Sequence, residues 1–405
     1  VIGAGPAGLM AAGTAAGAGA AVTCLEAGER PGRKLLLTGK GRCNLSNTLP
    51  PEEFIAGFGA NGAFLRNGLH RFFSGQLREF LAGIGVETAV ERGGRIYPAQ
   101  GGAAAVLEAL LAWLRRSGAR LETGRRATRV AAAPSGGFVV EGSGFHEAAD
   151  RVVVAVGGAS YPQTGSRGDG YRIAAALGHT VVTPRPALVP VVCREPWFAR
   201  LAGLKLRNVL LTAHPPGATA ITSFGEVHAT PFGISGPAVF PVSARIGELA
   251  AAAPLPLSID LKPGLDEAQL GARLERELGG RASRPLSALL ATLLPRELVA
   301  VFLEVAGLDG RQTAGQAGRA AKPVLLRLLK AFPCTATGTL PISQGMATAG
   351  GVDLREVHPV SMESRIVPGL FFAGEVLDLD GDTGGYNLQA AFTTGYLAGL
   401  AAARP

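Results

Sequence analysis

Six residues near the start of the chain, Gly3-Ala4-Gly5-Pro6-Ala7-Gly8, carry the clearest chemistry in the sequence. A G-x-G-x-x-G turn between a strand and a helix offers backbone N–H groups to a diphosphate. Gly3 permits the tight turn, Gly5 lacks the Cβ that would block a pyrophosphate, and Gly8 lets the helix lie close on the strand. Pro6 suits the first helical turn, where its missing N–H costs no bond. The remaining N–H groups, with Ala4 and Ala7 in the turn, and the helix dipole face the phosphates. Glu26 stands eighteen residues after Gly8, at the end of the apolar run 21–25. A carboxylate there can accept both hydroxyls of a ribose, and Ala27 beside it joins the candidate set. Strand, helix, second strand and terminal acid in register predict a dinucleotide site.

Three other stretches combine glycine with polar side chains. Arg33-Lys34 and the run 38–47 are basic and glycine-spaced, with exposed backbone amides. Such a loop neutralises a pyrophosphate and approaches a flat ring closely. Gly41, Arg42, Cys43 and Asn44 are its cofactor candidates, and Cys43 is read as a small packing residue, since nothing in the sequence lowers its pKa. The apolar strand 151–156, which contains Ala155, ends at Gly157-Gly158 and runs into the glycine-rich loop 160–171. A cofactor loop and a plain connector to a helix at 173–177 both fit that loop. Near the other end, the strand at 369–373 leads to Gly374-Glu375, and Gly384-Gly385-Tyr386-Asn387-Leu388 opens a closing helix, 390–401. This repeats the arrangement at the start, so a second helix dipole can stabilise negative charge, including that of a reduced flavin. A strand at 128–132 can offer backbone groups to an adenine edge, with Val130 the chosen position. Lys40, Tyr161, Tyr386 and Asn387 are polar candidates for a substrate face, positional before catalytic. No His/Asp pair marks a general base.

The elements that must position these groups read as α/β. Apolar spacing predicts amphipathic helices over 65–84 and 103–117, and short strands at 128–132 and 138–141 joined through Ser135-Gly136-Gly137. Composition shifts near Thr183: Pro184, Pro186 and Pro190 mark a linker, and proline-punctuated short strands follow to about 261. Leucine spacing then predicts helices from 265 to about 329. At 405 residues, two or three domains are expected. A hydrophobic share of 47% with 17% charged residues fits a globular protein, and no apolar run reaches the length of a membrane span. No signal peptide is visible, and Val1 already reads as strand, so residues upstream of it are expected. Four scattered cysteines without C-x-x-C suit a reducing cytoplasm, and six histidines in no ligand pattern predict no metal. The net charge of +8 is carried mostly by arginine, with no basic run interleaved with aromatics. A solvated surface is the expectation, and a nucleic-acid partner is not.

Together these residues resemble the bacterial flavoproteins called YhiN-like or BaiN-like NAD(P)/FAD-dependent oxidoreductases, which include aminoacetone oxidase. The motifs are VIGAGPAGLM (1–10), TGKGRCNLSN (38–47), GGASYPQTGSRGDGY (157–171), FGISGPA (232–238) and FFAGEVLDLDGDTGGYNLQAAF (371–392). The resemblance spans the chain. It implies a discontinuous Rossmann-type FAD domain, about 1–183 with 340–405, with an inserted β-barrel-like domain (184–264 with about 330–339) and a helical insertion (265–329). It also implies that Glu26 holds the adenosine ribose and that 41–44 and 384–389 lie near the isoalloxazine. Val227-His228-Ala229-Thr230-Pro231 departs from the family's usual Leu-Phe-Thr run.

No second complete G-x-G-x-x-G unit is visible, so the expected bound cofactor is FAD, with NAD(P)H at most a visiting electron donor. The expected function is oxidation of a small amine-like substrate by hydride transfer to flavin, with oxygen or another acceptor reoxidising it. An NAD(P)H-dependent reductase of activated C=C bonds is the alternative, and an RNA-associated flavoprotein the second. Oligomeric state is not legible.

Overall fold

The computed structural model describes every residue except Ser135, Arg281, Pro405 and the side chain of Arg319. Ser135, the first residue of the expected 135–137 turn, therefore lies outside the described residues. Contacts divide the chain into two units, Val1–Ala187 with Ile342–Pro405, and Leu188–Pro341.

The first unit is built on a parallel sheet with Ile2 at its centre. Ile2 bridges to Leu25 on one side and Val154 on the other. Thr23–Leu25 pairs outward with Arg120–Glu122, and Val152–Val154 with Leu370–Phe372. Val152, Val153 and Val154 are buried, as expected of a strand covered on both faces. The helices Pro6–Gly17 and Tyr386–Ala402 cross with their backbones almost touching. A Cβ on Gly395 would lie 2.3 Å from the Ala7 carbonyl oxygen, and one on Gly399 2.5 Å from that of Ala11. On another side of the first helix, a Cβ on Gly13 would meet the Trp113 ring at 2.3 Å. Its alanines and glycines are therefore a packing requirement: the helix is enclosed and has little need of a polar face.

The helix expected over 65–84 is broken into Arg66–Arg71 and Ser74–Gly83. At the break, Gln76 Oε1 accepts the Phe73 N–H (3.1 Å). The Phe72 carbonyl accepts from Gln389 Nε2 (3.3 Å) and Thr393 Oγ1 (2.8 Å) of the closing helix. Tertiary hydrogen bonds thus override a continuous apolar periodicity. The other expected helices run Gly102–Arg116 and Asp169–Ala176. The strands Ala127–Ala132, Phe138–Gly142 and Phe145–Ala149 form an antiparallel sheet. The proline-marked linker is itself a strand, Val181–Ala187, paired with Ala347–Val352 through an irregular register between Val182 and Arg185. That irregularity accommodates Pro184, which cannot donate.

The second unit is a closed six-stranded barrel. In order around it run Val191–Cys193, Gly233–Ser235, Ile221–Thr230, Lys205–Ala213, Leu255–Asp260 and Phe332–Thr339. Alternate residues such as Leu255, Leu257 and Ile259 face inward. Barrel residues share one apolar core with Leu270, Leu274, Leu298 and Phe302 of the helical segment. Lys330 pairs with Asp260 at 2.6 Å, both largely buried.

Candidate functional site

The opening turn has the geometry its residue types suggest. Gly3 takes φ +98°, and a Cβ there would lie 2.5 Å from the Ala155 carbonyl. A Cβ on Gly8 would lie 1.8 Å from the Gly3 carbonyl, so helix and turn meet backbone to backbone. Gly5 has nothing within 4 Å of its missing Cβ and faces open space. Glu26 is held by two backbone N–H groups, from Ala4 to Oε2 (3.0 Å) and from Gly28 to Oε1 (2.8 Å). This presents the carboxylate to the same cleft. Gly3, Ala4, Gly5, Pro6, Ala7, Glu26, Ala27, Arg33, Lys34, Ala155, Gly157, Gly374, Glu375, Asn387 and Leu388 all line it. Thr164–Ser166, from the glycine-rich loop 160–171, also line it, as do Arg125–Ala127, which were not singled out in the sequence.

Val130 does not reach the cleft. Its side chain is buried in the core beside Val140, and the chain contributes to the wall earlier, at 125–127. A register irregularity between Ala127 and Arg129 separates the two stretches, which strand spacing alone does not reveal.

Four distant segments meet at Glu375. Its Oε2 accepts from Lys34 Nζ (2.5 Å). Its Oε1 accepts from Ser160 Oγ (3.1 Å) and the Thr348 N–H (2.8 Å). Lys34 also donates to Ser160 Oγ at 2.6 Å. Gly158 does not line the cleft; it makes room for this knot. A Cβ there would lie 2.4 Å from Thr348 Oγ1 and 3.1 Å from the Glu375 carboxyl carbon. Ser160 opens the glycine-rich loop 160–171 named in the sequence, whereas Thr348 was missed because a single hydroxyl residue carries no spacing signal.

Thr38 of the loop 38–47 lines the cleft, and the loop's later residues brace the closing helix. Gly8, Lys40, Gly41, Arg42, Cys43, Asn44, Gly385, Tyr161 and Tyr386 are absent from the cleft's lining. With its amide oriented to satisfy its neighbours, Asn44 accepts the Gly385 N–H at 3.2 Å and donates to the Ser46 and Ile96 carbonyls. A Cβ on Gly385 would come within 2.3 Å of the Ser46 carbonyl, so the loop and the closing helix touch through backbone. Arg42 pairs with Glu91 and lies over the Tyr97 ring. Lys40, Cys43 and Tyr161 take left-handed φ of 58°, 63° and 51°. Non-glycine residues in that region are uncommon and gather at constrained loops. Cys43 is fully buried, and burial pushes its thiol up to about 12, so it is an unreactive packing residue.

Two candidates for the substrate face are occupied structurally. Tyr386 stacks on Phe54 at 4.5 Å between ring centroids. Asn387 closes the turn before the helix, accepting the Gly381 N–H (2.9 Å) and donating to the Gly381 carbonyl (2.8 Å). In the same turn, burial raises the carboxyls of Asp380 and Asp382 to about 6 each. Among the described residues, no group of three or more His, Cys, Asp or Glu could hold a metal ion. None of their helices is long and apolar enough to cross a membrane.

Known proteins place this architecture. The model of the HI0933-like protein Rossmann domain matches residues 1–401. A 3-dehydro-bile acid delta(4,6)-reductase of Clostridium scindens is 36% identical over all of this chain and 98% of its own. A ribosomal RNA dihydrouridine synthase of Haemophilus influenzae is 30% identical over all of this chain and 98% of its own. In fold, the chain is similar to a 3-ketosteroid delta1-dehydrogenase from Sterolibacterium denitrificans, with a TM-score of 0.53 and 14% identity, covering 99% of this chain and 98% of that one. The protein thus belongs to the HI0933-like Rossmann domain family and is an FAD-dependent oxidoreductase.

Proposed function

We propose that this enzyme reduces a carbon–carbon double bond conjugated to a carbonyl, with NAD(P)H as a transient electron donor. The observation that carries this is the 36% identity, over the whole chain, to a relative named as a delta(4,6)-reductase of a 3-dehydro (that is, 3-oxo) compound. The amine-oxidising alternative rests on family resemblance alone, so we place it second.

The residues lining the cleft fit FAD. Gly5 leaves open space where a diphosphate must approach, and the uncovered N–H groups at the start of Pro6–Gly17 face it. Arg33, in the same wall, supplies positive charge there. Glu26 would take the ribose hydroxyls, and the wall at 125–127 the adenine. The start of Tyr386–Ala402, braced by Asn44, would stabilise negative charge on the ring. When bound, the flavin supplies hydride chemistry. The chain's own share is binding, orientation and a low-dielectric wall. Asp380 and Asp382, with raised carboxyls, hold protons to about pH 6 beside the helix start.

The test is anaerobic. NADPH should bleach the flavin absorbance of the purified protein, small amines should not, and a conjugated enone should restore it. Bleaching by amines with none by nicotinamides would replace this reading with the oxidase one. A third reading places the double bond in a nucleobase of RNA. The relative named as a ribosomal RNA dihydrouridine synthase favours it. Salt-sensitive binding of ribosomal RNA, with enones inert, would select it.

A further inference from the structure

Thr348 is fully buried in the strand Ala347–Val352, and its hydroxyl hydrogen-bonds the buried Tyr171 side chain. Its Oγ1 accepts the N–H of Ala159 (2.9 Å) and of Ser160 (3.1 Å), while its own N–H donates to Glu375 Oε1 (2.8 Å). The first two bonds fix the peptide that carries Ser160, whose hydroxyl donates to the same Glu375 oxygen. Both donors to Oε1 are thus set by Thr348, which leaves Oε2 for Lys34. Lys34 and Glu375 line the cofactor cleft, and Thr348 does not. Gly158 has no side chain where one would displace the Thr348 hydroxyl.

We propose that Thr348 is a positioning residue for the cofactor: through Ser160 and Glu375 it holds the Lys34 ammonium in place to meet the anionic dinucleotide. This rests on the reading of the cleft as an FAD site. Replacing the hydroxyl with a methyl leaves the buried Ser160 amide and the part-buried Ala159 amide without an acceptor and frees the Ser160 peptide. Glu375 keeps the backbone N–H of residue 348, but it and Lys34 both lose the fixed Ser160 hydroxyl that each contacts, although neither has changed.

The experiment measures FAD affinity by flavin fluorescence on the full-length apoprotein, across a salt series, for wild type, Thr348→Val, Thr348→Ser and Lys34→Met. Thr348→Val should weaken binding by about tenfold or more. Its affinity should also depend less steeply on salt than that of wild type, because the ammonium is no longer placed. Thr348→Ser, which keeps the hydroxyl, should stay within about threefold of wild type. Adding Lys34→Met to Thr348→Val should cost little more than the worse single change. If Thr348→Val does not fold, Thr348→Ala deletes the same hydroxyl and is read the same way. Wild-type affinity and salt slope in the hydroxyl-deleted variant would overturn the proposal. So would a serine variant as weak as the valine, which would assign the effect to packing. A wild-type protein that binds no FAD would instead overturn the reading of the cleft itself.

Discussion

Individual residues here are legible in proportion to how strongly backbone geometry restricts them. Gly3, Gly5 and Gly8 are constrained by a turn, an open face and a backbone contact, and the motif spacing separates those roles. Gly158 looks the same in sequence, yet it serves the Thr348–Glu375 knot, because only the fold brings residue 348 beside it. Gly158→Ala drives a Cβ into a hydroxyl that two amides hold still. It should destabilise the protein by about 1–3 kcal/mol and weaken FAD binding, as thermal melting and flavin titration would report. His179 was not legible at all. It is buried, its ring stacks edge-on against Phe372, and Nε2 lies 2.8 Å from Ser364 Oγ. That oxygen already accepts the N–H groups of Ile366 and Val367, so its proton points to Nε2 and the ring is neutral. Burial lowers the His179 pKa. The unfolded chain therefore binds a proton that the folded one resists, and stability falls as pH drops below the ordinary histidine value. His179→Gln should flatten the decline in melting temperature between about pH 7 and pH 5. Parallel curves for variant and wild type would contradict this.

At the scale of elements, apolar periodicity located helices but not where tertiary contacts cut them. The break at Phe72 exists because Gln389 and Thr393 claim its carbonyl, a demand arising over three hundred residues away. The glycine crossing of Pro6–Gly17 with Tyr386–Ala402 was visible only as small-residue composition. The turn ahead of the closing helix carries its own titration signature. Burial raises Asp380 to about 6, with Asp378 adding repulsion. Here the folded state binds the proton more tightly than the unfolded one. The charge therefore costs stability above about pH 6, and the cost fades as pH falls toward the ordinary aspartate value. Asp380→Asn should raise stability at about pH 7.5 by on the order of 1 kcal/mol and do nothing near about pH 3. Equal gains at both pH values would assign the effect to packing.

At the scale of the molecule, the parallel sheet and the return of the chain at residue 342 follow from motifs at both ends. The core shared by barrel and helices in 188–341 does not, because leucine spacing says which face is apolar and not what covers it. That segment is continuous and has its own core, with Lys330 and Asp260 paired inside it. Expressed alone, residues 188–341 should fold cooperatively by circular dichroism and bind no FAD. A disordered fragment would show that its core is incomplete.

The central claim is that the cleft beside Gly5 takes the diphosphate of FAD. Gly5 has an ordinary extended backbone, φ −80°, and open space at its missing Cβ. Gly5→Val should therefore melt within about 1 kcal/mol of wild type while filling the place of the phosphates. The direct measurement is flavin released per chain from purified wild type and Gly5→Val. Stoichiometric FAD in the first and none in the second is the expected result. A well-folded Gly5→Val protein carrying as much FAD as wild type would contradict the account.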